Sequence, residues 1–337
     1  MKYSVGYNML HSNELLPVII DNKEEIDEVY FSWADFANGR NSQTEQAGYS
    51  PWEALYKQEE DLKLLNAAGI RFNLLFNGNC YGADSLSRAF YEKIGESVQY
   101  IKSTMNLSSV TTTSPLIAKF IKNNFGDIKV RASVNMEIGT IQGMDYLSEY
   151  FDGYYMKREY NRNFKKIEEL KARCDSDGKT LHILANSGCL NYCSAHVFHD
   201  NLVAHETEIA KRDNCYVFEG VCNEYLKSPE KRISLIRDTN FIRPEDIKYY
   251  EKYFTSVKLA TRVSNNPVMI LKSYLRQRYS GNIIELLEPN HSGAIYPYVI
   301  ENSKLKNDFL FCDKNCFSCK RCSDIYNNAL LNLEEIF

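Results

Sequence analysis

Eight short segments rich in apolar and β-branched residues recur along the chain, and a helix-length stretch separates most neighbouring pairs. They span residues 3–7, 28–33, 71–76, 108–112, 129–134, 153–156, 181–185 and 256–260. Such alternation favours parallel strands joined by right-handed crossovers. About eight units predict an α/β fold of the (β/α)8 TIM-like barrel type, regular or irregular. A doubly wound open sheet is the alternative, although no Gly-x-Gly-x-x-Gly motif follows the first strand.

Helix boundaries are marked most clearly between the second and third strands. Residues 50–53 read Ser-Pro-Trp-Glu, a capping box with proline at the first helical position, and Gly69 suits the end of the helix. The periodicity predicts one buried face, formed by Trp52, Leu55, Leu62 and Leu65. A second helix is predicted from Pro115, and a third over residues 164–173 with Ile167 and Leu170 facing inward.

The overall composition is that of a globular protein. Of the 337 residues, 44% are hydrophobic and 25% are charged, which excludes disorder, collagen and coiled coil as the main architecture. A formal net charge of -4 gives no global basic field for nucleic acid, although a local patch is compatible with it. The chain has no run of about 18 apolar residues and no signal-peptide pattern in residues 1–20. We therefore expect a soluble cytoplasmic protein with no membrane partner.

The last part of the chain differs from the rest because it is rich in cysteine. We predict a barrel catalytic domain over residues 1–300 and a Cys-rich extension over residues 301–337, ending in an apolar helix from residue 329 to residue 337. Four thiols, Cys312, Cys316, Cys319 and Cys322, lie within eleven residues. The compact run is typical of an iron–sulfur cluster, with tetrahedral zinc as the alternative. Four free thiols would instead be liable to oxidation.

A second group of cysteines is scattered along the chain. Cys80 follows the third predicted strand, Cys189 and Cys193 follow the seventh, and Cys222 precedes a polar stretch. The first three lie beyond the carboxyl ends of barrel strands, where barrel active sites are built. Distant loops that converge there can supply four thiolates to one metal cluster, although each cysteine alone is more often a small buried hydrophobic residue. The two remaining cysteines, Cys174 and Cys215, are predicted to be structural.

Three of the six histidines, His196, His199 and His205, fall within ten residues of one another. His196 and His199 are three apart and can share one face of a helix. They are interpreted as substrate-binding or proton-shuttle groups, as metal ligands, or as structural residues. The metalloprotease motif His-Glu-x-x-His is absent.

Polar side chains at other strand ends complete the predicted site. Asn8, Asn135, Asn161 and Arg162 are predicted to bind substrate, and arginine there suits a carboxylate group. The predicted catalytic residues are Asn186, His196, His199 and Arg243. The alternative for the asparagines and arginines is a loop cap or a surface ion pair.

The pattern around Cys189 resembles a known family. Residues 186–196 read Asn-Ser-Gly-Cys-x-x-x-Cys-x-x-His, with Cys80 upstream and Phe-Ile-Arg-Pro-Glu-Asp at 241–246 downstream. This arrangement resembles the U32 peptidase family, the collagenase-like proteins, over residues 1–264. The two central cysteines are closer together than in the usual signature, which indicates a divergent branch.

The resemblance implies a barrel-type catalytic domain and a [4Fe-4S] cluster held by Cys80, Cys189, Cys193 and Cys222. It also implies oxygen-independent hydroxylation chemistry, as in relatives that act on quinone precursors or RNA, or the peptidase activity attributed to others. No Gly-x-Ser-x-Gly elbow is present to support hydrolysis.

We therefore predict an iron–sulfur enzyme, with one or two clusters, for redox or hydroxyl-transfer chemistry on a small molecule, RNA or peptide. It would be served by an electron-donor protein. A collagenase-like peptidase and a non-catalytic, cluster-bearing maturation partner are the alternatives. The sequence leaves homo- or hetero-oligomer formation open.

Overall fold

Eight parallel strands follow one another around a single sheet in chain order, with the last strand beside the first. In this computed structural model, the described residues are 1–33, 36, 39, 47–306, 310–312, 316 and 319–335. The strands are β1 Lys2–Gly6, β2 Ile26–Phe31, β3 Phe72–Phe76, β4 Leu107–Thr112, β5 Lys129–Ala132, β6 Gly153–Tyr155, β7 Thr180–His182 and β8 Ser256–Leu259. Each overlaps one of the eight predicted segments, and the overlap is smallest for β7, which shares two residues with the predicted 181–185.

The sheet curls into a nearly closed barrel. β8 pairs in parallel with β1, and an isolated parallel bridge joins Leu184, just after β7, to Lys258 in β8. Across this seam the Ala185 amide donates to the Lys258 carbonyl at 2.9 Å, and the Lys258 amide donates to the Ile183 carbonyl at 2.9 Å. The (β/α)8 TIM-like barrel predicted from the alternation is therefore confirmed.

Helices follow most strands and cover the outside of the barrel. They are α1 Ser12–Asp21, α2 Pro51–Ala67, α3 Arg88–Thr104, α4 Pro115–Asn124, α5 Ile141–Asp145, α6 Phe164–Ser176, α7 His196–Ala204, α8 Glu206–Ile209, α9 Val221–Lys227, α10 Ser234–Arg237, α11 Pro267–Leu275, α12 Ser292–Ile295 and α13 Arg321–Ala329. Short 3-10 turns occupy Ala83–Leu86, Val134–Met136, Arg158–Tyr160, Pro229–Lys231, Pro244–Tyr249, Ile283–Leu286, Asn302–Lys304 and Leu333–Glu335. None of the helices in the described ranges combines the length and apolar character of a membrane span.

The predicted start of α2 is correct, but its predicted buried face is only partly so. The Ser50 amide donates to the Glu53 carboxylate at 2.9 Å, as a capping box requires. Leu62 and Leu65 are fully buried, whereas the Trp52 side chain is 70% exposed. The buried face of α2 begins at Ala54, and Trp52, two residues earlier, lies on the opposite side of the helix.

The connection between β7 and β8 departs from the simple alternation. Residues 183–255 form a long excursion that contains four short helices, α7 to α10, instead of one long helix. Its two ends are held against the barrel, since the Ile242 amide donates to the Ala185 carbonyl at 2.8 Å. The excursion contains Cys189, Cys193 and Cys222, three of the four ligands predicted for the barrel cluster.

The barrel interior is polar at its centre. The fully buried Glu28 carboxylate of β2 accepts hydrogen bonds from Ser4, Asn73 and Ser109 and is 2.6 Å from the Arg131 guanidinium of β5. β2 and β5 are not adjacent in the sheet, so this contact crosses the barrel lumen. We call these five residues the interior network. It ties five consecutive strands together through one carboxylate.

The C-terminal region packs back onto the barrel. β9 Tyr298–Ile300 pairs antiparallel with β10 Leu330–Asn332, and the buried Arg243 guanidinium donates to the Leu305 carbonyl at 2.6 Å. The helix predicted from residue 329 onward is wrong, because residues 330–332 are used in this two-stranded pairing; residues 336 and 337 lie outside the described ranges. The boundary at residue 300 stays a prediction.

Candidate active site

A cavity of about 340 Å³ opens at the end of the barrel where the strands finish. Its walls come from the β7–β8 excursion and from the segments that follow β6 and β8. Three cysteines with distant sequence positions, Cys189, Cys193 and Cys222, line it together with His196 and His199. The volume lies within the usual range for small-molecule sites, which is roughly 300–1,000 Å³. The structure thus brings together five of the predicted site residues.

The backbone paths of the loops that carry Cys189 and Cys222 each require a glycine. A side chain at Gly188 would place its Cβ 2.2 Å from the Pro289 carbonyl oxygen, so only glycine fits beside that segment. Gly220 has a φ of +82°, in the left-handed region that side chains avoid, and it precedes α9 and Cys222. Gly188 thus permits a close approach to Pro289, Gly220 permits a left-handed backbone, and a cavity cysteine follows each within two residues.

A buried histidine joins these two loops. The His291 Nε2 atom is 3.1 Å from the Gly188 carbonyl, next to Cys189. Its Nδ1 atom is 3.0 Å from the Asn223 side-chain oxygen, next to Cys222. His291 is therefore a positioning residue that holds Cys189 and Cys222 on the same cavity wall.

Substitution His291→Ala is expected to loosen both loops. Each lost hydrogen bond is worth about 0.5–1.5 kcal/mol, so we expect Cys222 in the metal-free protein to be alkylated about tenfold faster. Mass spectrometry of the labelled peptides gives the rate, and the exposed thiol of Cys215 serves as the internal control. Equal rates at Cys222 in both proteins would show that His291 does not position the loop.

The three cavity thiols influence one another electrostatically. Burial raises the pKa of the Cys222 thiol, and charge on Cys189 and Cys193 raises it further. Thiolates gathered in this way repel each other, and a bound cation relieves that repulsion. The donor set therefore has the chemistry of a site for a thiophilic metal.

Cys80 lies in the loop after β3 and is not among the residues lining the cavity. Its sulfur accepts a hydrogen bond from the Gly82 amide at 3.4 Å. Its neighbour Asn79 donates to the cavity residue Asp200 at 3.1 Å, which brings this loop against α7. In the described part of the chain, no three histidine, cysteine or acidic side chains already stand in a metal-binding arrangement. Ligation by Cys80 stays a prediction.

His196 is the most highly connected polar group of the site. Its Nδ1 atom is 3.2 Å from the Glu137 carboxylate, and its Nε2 atom is 3.4 Å from Asp200. The Arg158 guanidinium lies 3.0 Å from the same Nε2 atom. The guanidinium can only donate, so Nε2 accepts from Arg158 while Nδ1 carries its proton toward Glu137. Nε2 is then the ring atom that can take a proton from a group in the cavity.

Arg158 links the histidine to the cysteines. Its guanidinium donates to the Cys189 sulfur at 3.2 Å and to the Asn135 side-chain oxygen at 3.3 Å. The Arg158 Nε atom is buried and, within the described ranges, has no hydrogen-bond partner. The Arg158 cation thus contacts the Cys189 sulfur directly and has one donor left for a bound group.

Four other predicted residues are buried and bonded to the protein itself. Asn8 donates to the carbonyls of Thr261 and Ser264, and Asn186 donates to those of Ala260 and Leu286. Asn161 donates to the Leu184 carbonyl at 2.7 Å. Arg162 donates to the carbonyls of Ile236 and Phe241, and burial lowers its pKa to about 10. These four residues do not line the cavity; their hydrogen bonds hold the loops that surround it.

Arg243 lies apart from the cavity. Its guanidinium forms a buried ion pair with Asp246 at 2.7 Å, near the C-terminal region. Cys174 is buried as predicted, whereas Cys215 is exposed on the outer part of the excursion. The structural role predicted for Cys215 is therefore wrong, because its side chain is exposed and not packed in the core. The tail cysteines line a separate small cavity.

The sequence reasoning missed Arg158, Glu137 and Asp200. Arg158 stands three residues beyond the end of β6, so the signal applied to Asn8 and Arg243, a polar residue just after a strand, applied to it equally. Asp200 lies four residues after His196, one helical turn further along the same face of α7. Glu137 stands three residues after the predicted strand 129–134 and so gave the same strand-end signal, but its contact with His196 depends on the closed barrel.

Comparisons with known proteins agree with this architecture. The chain is 26% identical over 332 residues to "Uncharacterized protease MJ1657" of Methanocaldococcus jannaschii, covering 94% of this chain and 93% of that protein. The solved structure of the U32 peptidase Mk0906 matches with a TM-score of 0.52 and 15% identity, covering 77% of this chain and 91% of that one. No protein-family model matches the chain. The structural match concerns the fold, and the sequence match extends over nearly the whole chain.

Proposed function

Because these comparisons support a member of the U32 peptidase family, we propose that the chain is an iron–sulfur redox enzyme. Its cluster would be bound by Cys189, Cys193 and Cys222, with Cys80 of the adjacent loop as the fourth ligand. The observation that carries the proposal is the meeting of three cysteines from two loops around one cavity. Soft thiolates are the usual ligands of iron–sulfur clusters.

The residues around the thiols fit such a group. Arg158 places a positive charge 3.2 Å from the Cys189 sulfur, which offsets part of the negative charge of a thiolate-bound cluster. Its unpartnered Nε donor, as seen among the described residues, can serve a sulfide or a substrate oxygen. A bound [4Fe-4S] cluster would supply one-electron transfer at this position.

The protein's own side chains account for binding and proton handling. Apolar walls limit the access of water to the cavity; they are Leu190, Val203, Val263, Leu287 and Pro289. His196, whose ring is held by Glu137 at Nδ1 and by Arg158 at Nε2, is placed to take a proton from the substrate at Nε2. The size of the cavity suits a small molecule or a single residue or base of a larger one. The proposed reaction class is oxygen-independent redox or hydroxyl transfer.

Metal analysis of anaerobically purified protein tests this proposal. We expect iron and acid-labile sulfide with a brown colour, and we expect Cys189→Ser/Cys193→Ser to lose about four irons per chain. Cys215→Ser is the matched control, because that thiol is exposed and belongs to neither cysteine group. An unchanged iron content in the double variant, or stoichiometric zinc at this site, would contradict the proposal.

A peptidase is the second candidate, and the names of the two relatives favour it. The chain lacks the serine elbow and the zinc motif of known hydrolases, so hydrolysis would depend on a cavity cysteine with His196. A peptide-hydrolysis assay on metal-free protein distinguishes the two candidates. Activity that survives removal of iron and disappears in Cys189→Ser would favour the peptidase.

A further inference from the structure

The four tail cysteines come together around one small cavity. It has a volume of about 60 Å³ and is lined by all four thiols and by Ile233, Arg237 and Ser323. None of these residues lines the larger cavity at the barrel mouth. The thiols therefore form a group of their own, which does not depend on the proposed barrel cluster.

The wall of this cavity opposite the cysteines belongs to another part of the fold. Arg237 is the last residue of α10, in the β7–β8 excursion, and α13, which contains Cys322, packs against α10. This small cavity, which we call the tail cavity, thus lies at the interface between the C-terminal region and the excursion. A group bound in it would join two segments that are about 80 residues apart in sequence.

Positive charge lies close to the thiols. Arg237 lines the cavity and is within electrostatic reach of Cys316, while the buried Arg162 is within reach of Cys322. Four thiolates around a divalent cation carry a net charge of about −2. Arg237 also pairs with Asp238 at 2.8 Å, which fixes its guanidinium beside the cavity.

We propose that Cys312, Cys316, Cys319 and Cys322 form a second, four-thiolate metal centre that fixes the C-terminal region to α10. The centre takes a thiophilic metal, either one zinc ion or an iron–sulfur cluster. The described side chains do not yet stand in a coordinating arrangement, so metal binding gathers them. The entropy cost of gathering is small, because the four thiols span only eleven residues. Metal binding then contributes directly to the folding of the tail.

Metal counting on the full chain tests this centre and identifies the metal. Anaerobically purified wild type, Cys316→Ser/Cys319→Ser and the control Cys215→Ser are analysed for zinc, iron and sulfide. They are analysed again after chelation and reloading with Zn²⁺ alone or with Fe²⁺ and sulfide. We expect the tail variant to lose about one zinc, or about four irons with four sulfides, while the control keeps them. A tail variant with the full wild-type metal content in both arms would overturn the proposal.

The barrel variant Cys189→Ser/Cys193→Ser is analysed in the same way, as a separate protein. Its metal content distinguishes a failure of this proposal from a failure of the barrel proposal. If the barrel proposal fails, that variant keeps its metal while the tail variant still loses a metal complement. If the tail variant misfolds, thiol alkylation of the wild-type protein with and without metal still tests the centre. Alkylation of Cys316 and Cys319 is expected to be at least tenfold slower in the metal-loaded protein than after chelation. Equal alkylation rates in the two states would exclude a tail metal centre.

Discussion

Substitution Glu28→Ala is expected to lower the free energy of unfolding by about 3–5 kcal/mol, the range for removing one partner of a buried ion pair. Burial by itself raises the pKa of Glu28, but the Arg131 charge and the hydrogen bond from Asn73 outweigh it and lower this pKa to about 2. The alanine variant leaves the Arg131 guanidinium facing the lumen without its carboxylate. The hydrogen bonds from Ser4 and Asn73 to that carboxylate are lost as well.

Urea denaturation followed by circular dichroism measures this change. Glu24→Ala is the matched control, since Glu24 is exposed just before β2, and it should change stability by less than about 0.5 kcal/mol. Glu28→Gln keeps the shape of the side chain but loses the charge, and we expect an intermediate loss. An alanine variant as stable as the control would show that the interior network does not stabilise the barrel.

The second large effect expected is a loss of stability in mild acid, because His182 is buried beside cations. Burial, followed by the charge on Arg131, lowers the pKa of His182 from 6.5 to about 3. Glu28, Lys258 and Arg131 all act electrostatically on this imidazole. The folded state therefore binds the His182 proton more weakly than the unfolded state does. Its contribution is complete above pH 6.5 and is lost as the pH falls toward 3.

The expected loss is several kcal/mol, since each tenfold difference in proton affinity is worth about 1.4 kcal/mol. Glu28 adds to it only below pH 4.5, because its contribution is lost between 4.5 and about 2. Urea denaturation at pH 7.5, 6, 5 and 4 measures the slope. His182→Gln should flatten the slope between pH 6.5 and 4.5. His291, whose pKa burial also lowers, contributes in the same direction and keeps part of the slope in this variant. An unchanged slope in that variant would assign the acid sensitivity to other groups.

The barrel was predictable because its evidence is local. A buried parallel strand needs a run of apolar and β-branched residues, and each helix between strands has its own cap, such as Ser50 with Glu53. Trp52 was misplaced because the buried face of α2 includes two polar residues, Gln58 and Asp61, which a hydrophobic pattern does not count. The apolar residues alone therefore indicated the wrong side of the first turn.

The site was predictable to the extent that strand ends converge in a barrel. Cys189, Cys193 and His196 follow β7 directly, and they line the cavity. The contact of Glu137 with His196 and that of Glu28 with Arg131 join segments about 60 and about 100 residues apart. Neither pair has a spacing that marks it in the sequence, because only closure of the barrel brings the partners together.

The β7–β8 excursion is braced at both ends and exposed at its far end. Asn186 bonds to Ala260 and Leu286 at one end, and Arg162 bonds to Phe241 at the other. In between, Tyr216 and Val217 are about nine-tenths exposed. Insertions and substitutions at that far end can accumulate during evolution without disturbing the scaffold. Residues 205–219, none of which lines the cavity, are therefore the place where a label or an affinity tag can be inserted with the least effect on the site.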